Sequence, residues 1–92
     1  MVRVRAHVFF HGRVQGVFFR DFVRRRARLL GVTGWIRNLP DGRVEAVMEG
    51  ERERIQELIS MAVHEHPYAR VTKVDVEWSE ATGEFDGFSI VG

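Results

Sequence analysis

The sequence predicts an α+β sandwich in which two amphipathic helices cover one face of an antiparallel sheet. Three observations support this fold class. The chain has 92 residues, which suffices for one core. Two kinds of apolar pattern then follow one another along it, alternation with a period of two and apolar residues at helical spacing. Neither helix is apolar all round, so both are expected on the same sheet face, which leaves the other face comparatively open.

The predicted elements occur in the order β-α-β-β-α-β with a short extra strand at the C-terminal end. This is the order of a ferredoxin-like sandwich, and we expect it to form a single domain over residues 1–92. The elements are a strand over 2–11, a helix over 20–30, a hairpin with strands 33–38 and 43–50, a helix marked by Ile55 to Val63, a strand over 74–78 and a last strand over 88–91.

Local residues support these boundaries. Asp21 in the first helical turn suits the positive end of the helix dipole, and Gly31 suits the position just after the helix. Pro40, Asp41 and Gly42 predict a tight turn between the hairpin strands, because they combine a fixed φ, an Asx side chain and a residue that tolerates positive φ.

The composition narrows the function classes. A formal net charge of +1 gives no overall field that would attract nucleic acid or a membrane. The absence of cysteine excludes disulfides, thiolate metal sites and cysteine nucleophiles. No apolar run approaches the ~18 residues of a membrane-spanning helix. We therefore expect a cytoplasmic protein, monomeric, with no nucleic-acid or membrane partner.

The segment from Gly12 to Arg20, Gly-Arg-Val-Gln-Gly-Val-Phe-Phe-Arg, joins the first strand to the first helix. Gly12 and Gly16 allow backbone conformations that other residues resist. Successive N–H groups in such a loop, together with the helix N-terminus, form a binding site for an oxyanion. Arg20 adds a guanidinium fork that matches phosphate oxygens. The segment therefore predicts a phosphate site, and the alternative is a tight turn with a solvated Arg20.

The predicted phosphate site contains no nucleophile. A Walker A loop ends in Gly-Lys-Ser/Thr, which this segment lacks. A cysteine-dependent phosphatase has its thiolate six residues before the arginine, where this chain has Val14. If this site cleaves a phosphoryl bond, water must therefore be the attacking group.

Asn38 is a candidate for holding that water. It is the only asparagine in the chain and lies at the end of the second predicted strand. An amide side chain accepts and donates hydrogen bonds at once, so it can orient a water molecule. The alternative is a turn former, which is a common role of asparagine at a strand end.

Two long segments, 12–20 and 34–46, resemble the two signature segments of the acylphosphatase family. Chain length, element order and the terminal Phe88-Ser89-Ile90 are also similar, so the resemblance covers essentially the whole chain. It implies hydrolysis of small acyl phosphates without metal or other cofactor. By matching positions it implies that Asn38 positions the attacking water and that Arg20 binds the phosphoryl group. The phosphate-binding backbone amides would be those of Gln15, Gly16, Val17, Phe18, Phe19 and Arg20.

Two other classes of protein share the element order or the phosphate-binding loop, and each would have a different function. A non-catalytic module could bind phosphate or carbamoyl phosphate, although the self-contained length favours a free enzyme. An RNA-recognition module would have aromatic residues on its third strand, where this chain has none and carries Glu45 and Glu49. Metal binding is not predicted, because no pair of the four histidines provides enough ligands.

Overall fold

Five strands and two helices make up the computed structural model, which describes residues 2–92. The predicted element order and the short last strand are confirmed. The elements are β1 (Arg3–Arg13), α1 (Phe19–Leu30), β2 (Thr33–Asn38), β3 (Val44–Glu51), α2 (Arg52–His64), β4 (Arg70–Glu80) and β5 (Phe88–Ile90).

The strands form one sheet in the order β4-β1-β3-β2-β5. The four long strands pair antiparallel, as predicted, but β5 runs parallel to β2, with Phe88 opposite Gly34. The sheet is therefore mixed. The reason is that β4 ends at the end of the sheet where β2 begins, and the irregular segment 81–87 brings the chain there across to the far edge.

Both helices pack on one face of this sheet and on each other. The core between the layers has the alternation expected of β1 and the helical spacing expected of α1 and α2. Its fully buried members include Ala6, Val8 and Phe10 of β1, Phe19, Val23 and Ala27 of α1, and Ile55, Leu58 and Ala62 of α2.

The strand β1 is longer than predicted. The sequence pattern ends it at His11, whereas a bulge between His11 and Gly12 lets the pairing with β4 continue to Arg13. Gly12 has a φ of +115°, and a Cβ there would lie 2.2 Å from the carbonyl oxygen of Arg70. Gly12 therefore belongs to the strand, and the prediction of a loop over 12–19 is wrong; the loop is the five-residue segment 14–18.

The sheet face opposite the helices is less open than expected along β3. Glu49 lies on this face and is completely buried. Its carboxylate accepts the backbone N–H groups of Thr82 (2.9 Å) and Gly83 (3.0 Å) and pairs with Arg5 at 2.7 Å. Segment 81–87 thus covers part of the face. Burial alone would raise the pKa of Glu49, but these hydrogen bonds outweigh it and lower the pKa to about 2.

Candidate active site

The loop 14–18 connects the bulged end of β1 to the first turn of α1. Val14 anchors it, with its side chain buried in the core. Gly16 has a φ of +75°, and Phe18 is the only non-glycine with positive φ among residues 2–92. Phe18 has φ 60° and ψ 28° and is 85% exposed, so burial of its ring does not account for the strained backbone. Strain of this kind is concentrated at binding and catalytic sites.

The N-terminus of α1 has no side-chain cap. Its first helical hydrogen bond runs from the N–H of Phe22 to the carbonyl of Phe18 at 3.1 Å. The N–H groups of Phe19, Arg20 and Asp21 precede this bond and have no intrahelical acceptor. Together with the positive end of the helix dipole, these donors make the terminus a favourable place for an anion.

Arg20 lies in this first turn and is half-buried. The adjacent carboxylate, Asp21, is paired with Arg24 and Arg25, so its charge is neutralised by other guanidinium groups. Arg20 itself takes part in no ion pair within the part of the chain that the structure describes. Its charge is therefore available to a ligand at the helix N-terminus.

Asn38 is the last residue of β2 and, by the alternation of that strand, faces the helix layer. It pairs across the sheet with Val44, whose other neighbour is Phe10 of β1. Asn38 is thus two strand spacings, roughly 10 Å, from Phe10, which lies three residues before the end of β1. Its Oδ1 is buried, and within residues 2–92 no group donates a hydrogen bond to it. Buried polar atoms without a partner are rare.

The side chain of Gln15 joins the two halves of the site. Its Nε2 donates to the carbonyl oxygens of Leu39 (2.8 Å) and Arg43 (2.9 Å), one on each side of the hairpin turn. The N–H of Leu39 donates to the same Arg43 carbonyl at 2.8 Å. Sequence reasoning considered only the backbone amide of Gln15. The sequence feature that indicates this role is that Gln15 has the only hydrogen-bonding side chain in the loop 14–18.

The hairpin turn has the predicted Asx geometry. The carboxylate of Asp41 accepts the N–H of Arg43 at 3.1 Å, and this bond is the main reason that the pKa of Asp41 is lowered. The turn, which directly follows Asn38, is therefore held by hydrogen bonds from its own Asp41 and from Gln15.

The remaining predicted loop residues divide by side-chain environment. Phe19 is buried and packs edge-to-face on Phe10, with ring centroids 5.1 Å apart. Val17 packs partly against the core, whereas Phe18 points outward. Because the side chains of Val17, Phe18 and Phe19 are apolar, only their backbone N–H groups can contact an anion.

Elsewhere in residues 2–92 the side chains form no candidate metal-binding site. Within residues 2–92 no three histidine, aspartate or glutamate side chains come together in an arrangement that could hold a metal ion. Neither of the two helices described has the length and apolar character needed to cross a membrane.

Comparison with known proteins agrees with this architecture. The model of the acylphosphatase family matches residues 6–90. A protein named acylphosphatase from Thermococcus kodakarensis is 58% identical over 92 residues, which cover 100% of both chains. Another, from a Roseiflexus species, is 56% identical and covers 99% of this chain and 98% of its own. The crystal structure of acylphosphatase from Bacillus subtilis superposes with a TM-score of 0.91 at 35% identity, covering 97% of this chain and 99% of that one.

These findings agree with the resemblance of segments 12–20 and 34–46. The family model spans nearly the whole chain, the two relatives are more than half identical to it, and the solved structure has the same fold. The protein belongs to the acylphosphatase family and is an enzyme of the hydrolase class.

Proposed function

We propose that this protein hydrolyses acyl phosphates to a carboxylate and inorganic phosphate by direct attack of water on phosphorus. The observation that carries the proposal is the buried Oδ1 of Asn38, to which no group within residues 2–92 donates a hydrogen bond. Asn38 lies two strands away from Phe10, close to the end of β1 from which the loop 14–18 continues. An atom in this environment completes its hydrogen bonding with water or substrate. Relatives named acylphosphatase support the choice of substrate class.

In this proposal the phosphoryl group binds at the N-terminus of α1. Its oxygens accept hydrogen bonds from the backbone N–H groups of residues 15–20, and the guanidinium of Arg20 pairs with two of them. The uncapped helix terminus and the lack of an ion pair on Arg20 support this assignment. Fixed donors of this kind stabilise the charge on the equatorial oxygens of a loose phosphoryl transfer without reorganisation.

Asn38 accepts a hydrogen bond from the attacking water through Oδ1, which directs a lone pair of the water toward phosphorus. The new bond joins the water oxygen to phosphorus, and the bond from phosphorus to the acyl oxygen breaks. The electron pair leaves on the carboxylate, which is a weak base and needs no general acid. One water proton passes to a phosphoryl oxygen of the substrate. Catalysis then rests on positioning and on charge stabilisation.

Val14 supports a mechanism without a covalent intermediate. It occupies the position where a cysteine-dependent phosphatase has its thiolate, and its aliphatic side chain is buried in the core. It cannot attack phosphorus, so a phosphorylated enzyme is not expected at this position.

The test is hydrolysis of benzoyl phosphate in the presence of EDTA. We expect Arg20→Ala to lower kcat/KM about 10³-fold or more, because the fixed positive charge is lost. Asn38→Ala should lower kcat about 10²- to 10³-fold with a smaller change in KM, because Asn38 acts on water. Circular dichroism checks that both variants fold.

Matched controls are Arg54→Ala and Gln56→Ala, two exposed positions on α2 that carry the same side-chain chemistry. Both should keep the activity of the parent protein. A parent protein that binds phosphate but turns over no acyl phosphate would instead support a non-catalytic binding module. Full activity in Asn38→Ala would exclude only the water-positioning role.

A further inference from the structure

A cavity of about 230 Å³ lies beside the loop 14–18. Four aromatic side chains line it: Phe18 from the loop, Phe22 from α1, and His66 and Tyr68 from the segment that joins α2 to β4. An apolar cavity of about 150 Å³ is large enough to hold benzene. This cavity therefore has the size and the lining for one aromatic ring.

The inner wall of the cavity is fixed in place. The Nδ1 of His66 accepts the backbone N–H groups of Tyr68 (3.0 Å) and Ala69 (2.9 Å), which sets the orientation of the imidazole. The ring centroid of His66 lies 4.9 Å from that of Phe22. The guanidinium of Arg26 covers Phe22 at 3.5 Å from the ring centroid. A wall held by these contacts requires little ordering when a ligand binds.

The outer wall is exposed to solvent. Phe18 is 85% exposed and Tyr68 75% exposed, and both line the cavity. Large aromatic residues in such exposed positions bury little of their surface within the fold, so packing contributes little to their stability there. Phe18 in addition has the positive φ described above. Two aromatic rings that line one cavity can both contact a planar group bound in it.

The cavity adjoins the proposed phosphate site. Val17 and Phe18 line the cavity, and their backbone N–H groups belong to the proposed phosphate-binding loop. Asp21 also lines the cavity, and its N–H is one of the free donors of the α1 terminus. A group attached to a phosphate at these donors would therefore lie next to the cavity, because the same residues line it.

We propose that this cavity is a subsite for the acyl group of the substrate and that it favours planar aromatic acyl groups over short aliphatic ones. The inference rests on the proposed function, because it takes the phosphate to bind at the loop. Arg26, which lines the cavity, adds positive charge next to the carboxylate that forms when the bond to phosphorus breaks, whereas the charge of Arg25 is balanced by Asp21.

Binding of two stable analogues tests the subsite without relying on turnover. In benzoylphosphonate and acetylphosphonate a carbon–phosphorus bond replaces the labile link. We expect calorimetry on the parent protein to give a lower Kd for the benzoyl compound. In Tyr68→Ala and Phe18→Ala this preference should fall about 3- to 10-fold, in line with the loss of one aromatic contact. Tyr68→Phe keeps the ring and should keep the preference.

The control is Leu29→Ala, which removes an 84% exposed apolar side chain near the other end of α1 and should leave the preference unchanged. The ratio of kcat/KM for benzoyl phosphate to that for acetyl phosphate should follow the ratio of the Kd values. An unchanged preference in both Tyr68→Ala and Phe18→Ala would overturn the subsite. If no acyl phosphate is hydrolysed but the preference falls as described, the proposed function fails and the subsite stands.

Discussion

Two glycines of the segment 12–20 have different physical roles. A Cβ on Gly12 would lie 2.2 Å from the carbonyl oxygen of Arg70, inside van der Waals contact with backbone. A Cβ on Gly16 would meet nothing within 4 Å, so its φ of +75° is the only cost. Glycine is therefore required at position 12 because a side chain would clash with backbone, and at position 16 only because of the positive φ.

Gly12→Ala is expected to lower the free energy of unfolding by about 3 kcal/mol, because the bulge and the first pairs of β4 must move. Gly16→Ala should lower it by about 1 kcal/mol, the usual cost of the left-handed region for alanine. Urea unfolding monitored by circular dichroism measures both. Equal losses in the two variants would contradict the assignment of Gly12 to a close backbone approach.

The sequence identifies both glycines as special but does not separate their roles. Gly16 needs only its own positive φ, which is a local property that a Gly-rich turn predicts well. The requirement at Gly12 comes from Arg70, which is distant in the chain and reaches Gly12 only through the pairing of β1 with β4. The exposure of Phe18 was equally hidden, because nothing local distinguishes it from the buried Phe19.

At the level of elements, the β1–α1 loop and the β2–β3 turn are held together by one side chain. Gln15 donates to two turn carbonyls, and the turn directly follows Asn38. In the proposed mechanism the side chain of Gln15 is a positioning group, which acts on the water through the placement of β2 relative to the loop.

Gln15→Glu keeps the size of the side chain but replaces both donors by a carboxylate that the two carbonyls repel. We expect kcat to fall about 10- to 100-fold, because a displacement of about 1 Å at a reacting group has an effect of this size. In the Asn38→Ala background the same change should have little further effect on kcat. A double-mutant cycle in kcat, with unfolding free energies measured in parallel, tests the coupling.

Gln56→Glu, on the exposed surface of α2, controls for the added negative charge. Additive losses of kcat in the Gln15 and Asn38 variants would show that Gln15 supports the loop independently of the water. A purely structural role would change the unfolding free energy and leave the two effects on kcat uncoupled.

The elements themselves were predicted well where the pattern is local. The alternation of β1, the Pro-Asp-Gly turn and the apolar face of α1 all have their expected places. The ends of β2 were also predicted correctly, whereas β1 and β4 extend beyond their predicted ends, because a bulge and their mutual pairing continue them where the alternation stops. Both β1 and β2 pair antiparallel with β3, with Phe10 and Asn38 opposite Val44, so their C-terminal ends lie at the same end of the sheet.

At the scale of the whole molecule, the completely buried Glu49 links the stability of the fold to pH. Its pKa is about 2 in the folded protein and 4.5 in an unperturbed chain, so the folded state binds the proton more weakly. The stabilisation is therefore fully present above pH 4.5 and is lost as the pH falls toward 2. Integrated over that window it amounts to about 3 kcal/mol.

Glu49→Gln should remove this dependence. We expect the fall in unfolding free energy between pH 4.5 and pH 2 to be about 3 kcal/mol smaller in the variant than in the parent protein. Glu53→Gln, at an exposed position of α2, should keep the parental fall. Denaturant titrations at several pH values measure all three proteins, and an unchanged fall in Glu49→Gln would show that other carboxylates govern the acid limb.

The overall architecture followed from the element order, but the cover over Glu49 did not. It depends on Thr82 and Gly83, which are more than 30 residues away from Glu49 and carry no periodic pattern. A charged residue in a predicted strand is normally assigned to solvent, and only the tertiary contact shows otherwise.

The central position of β1 has a consequence for how the chain folds during synthesis. β1 pairs with β3 on one side and with β4 on the other, so its second edge stays bare until residues 70–80 have left the ribosome. The residues of the proposed catalytic site, Gln15 to Arg20 and Asn38, are synthesised before that, within the first 38 positions. The nascent chain therefore carries the proposed catalytic groups long before it can hold them in place, and such distant pairing favours slower folding than that of helical bundles, which fold in microseconds to milliseconds.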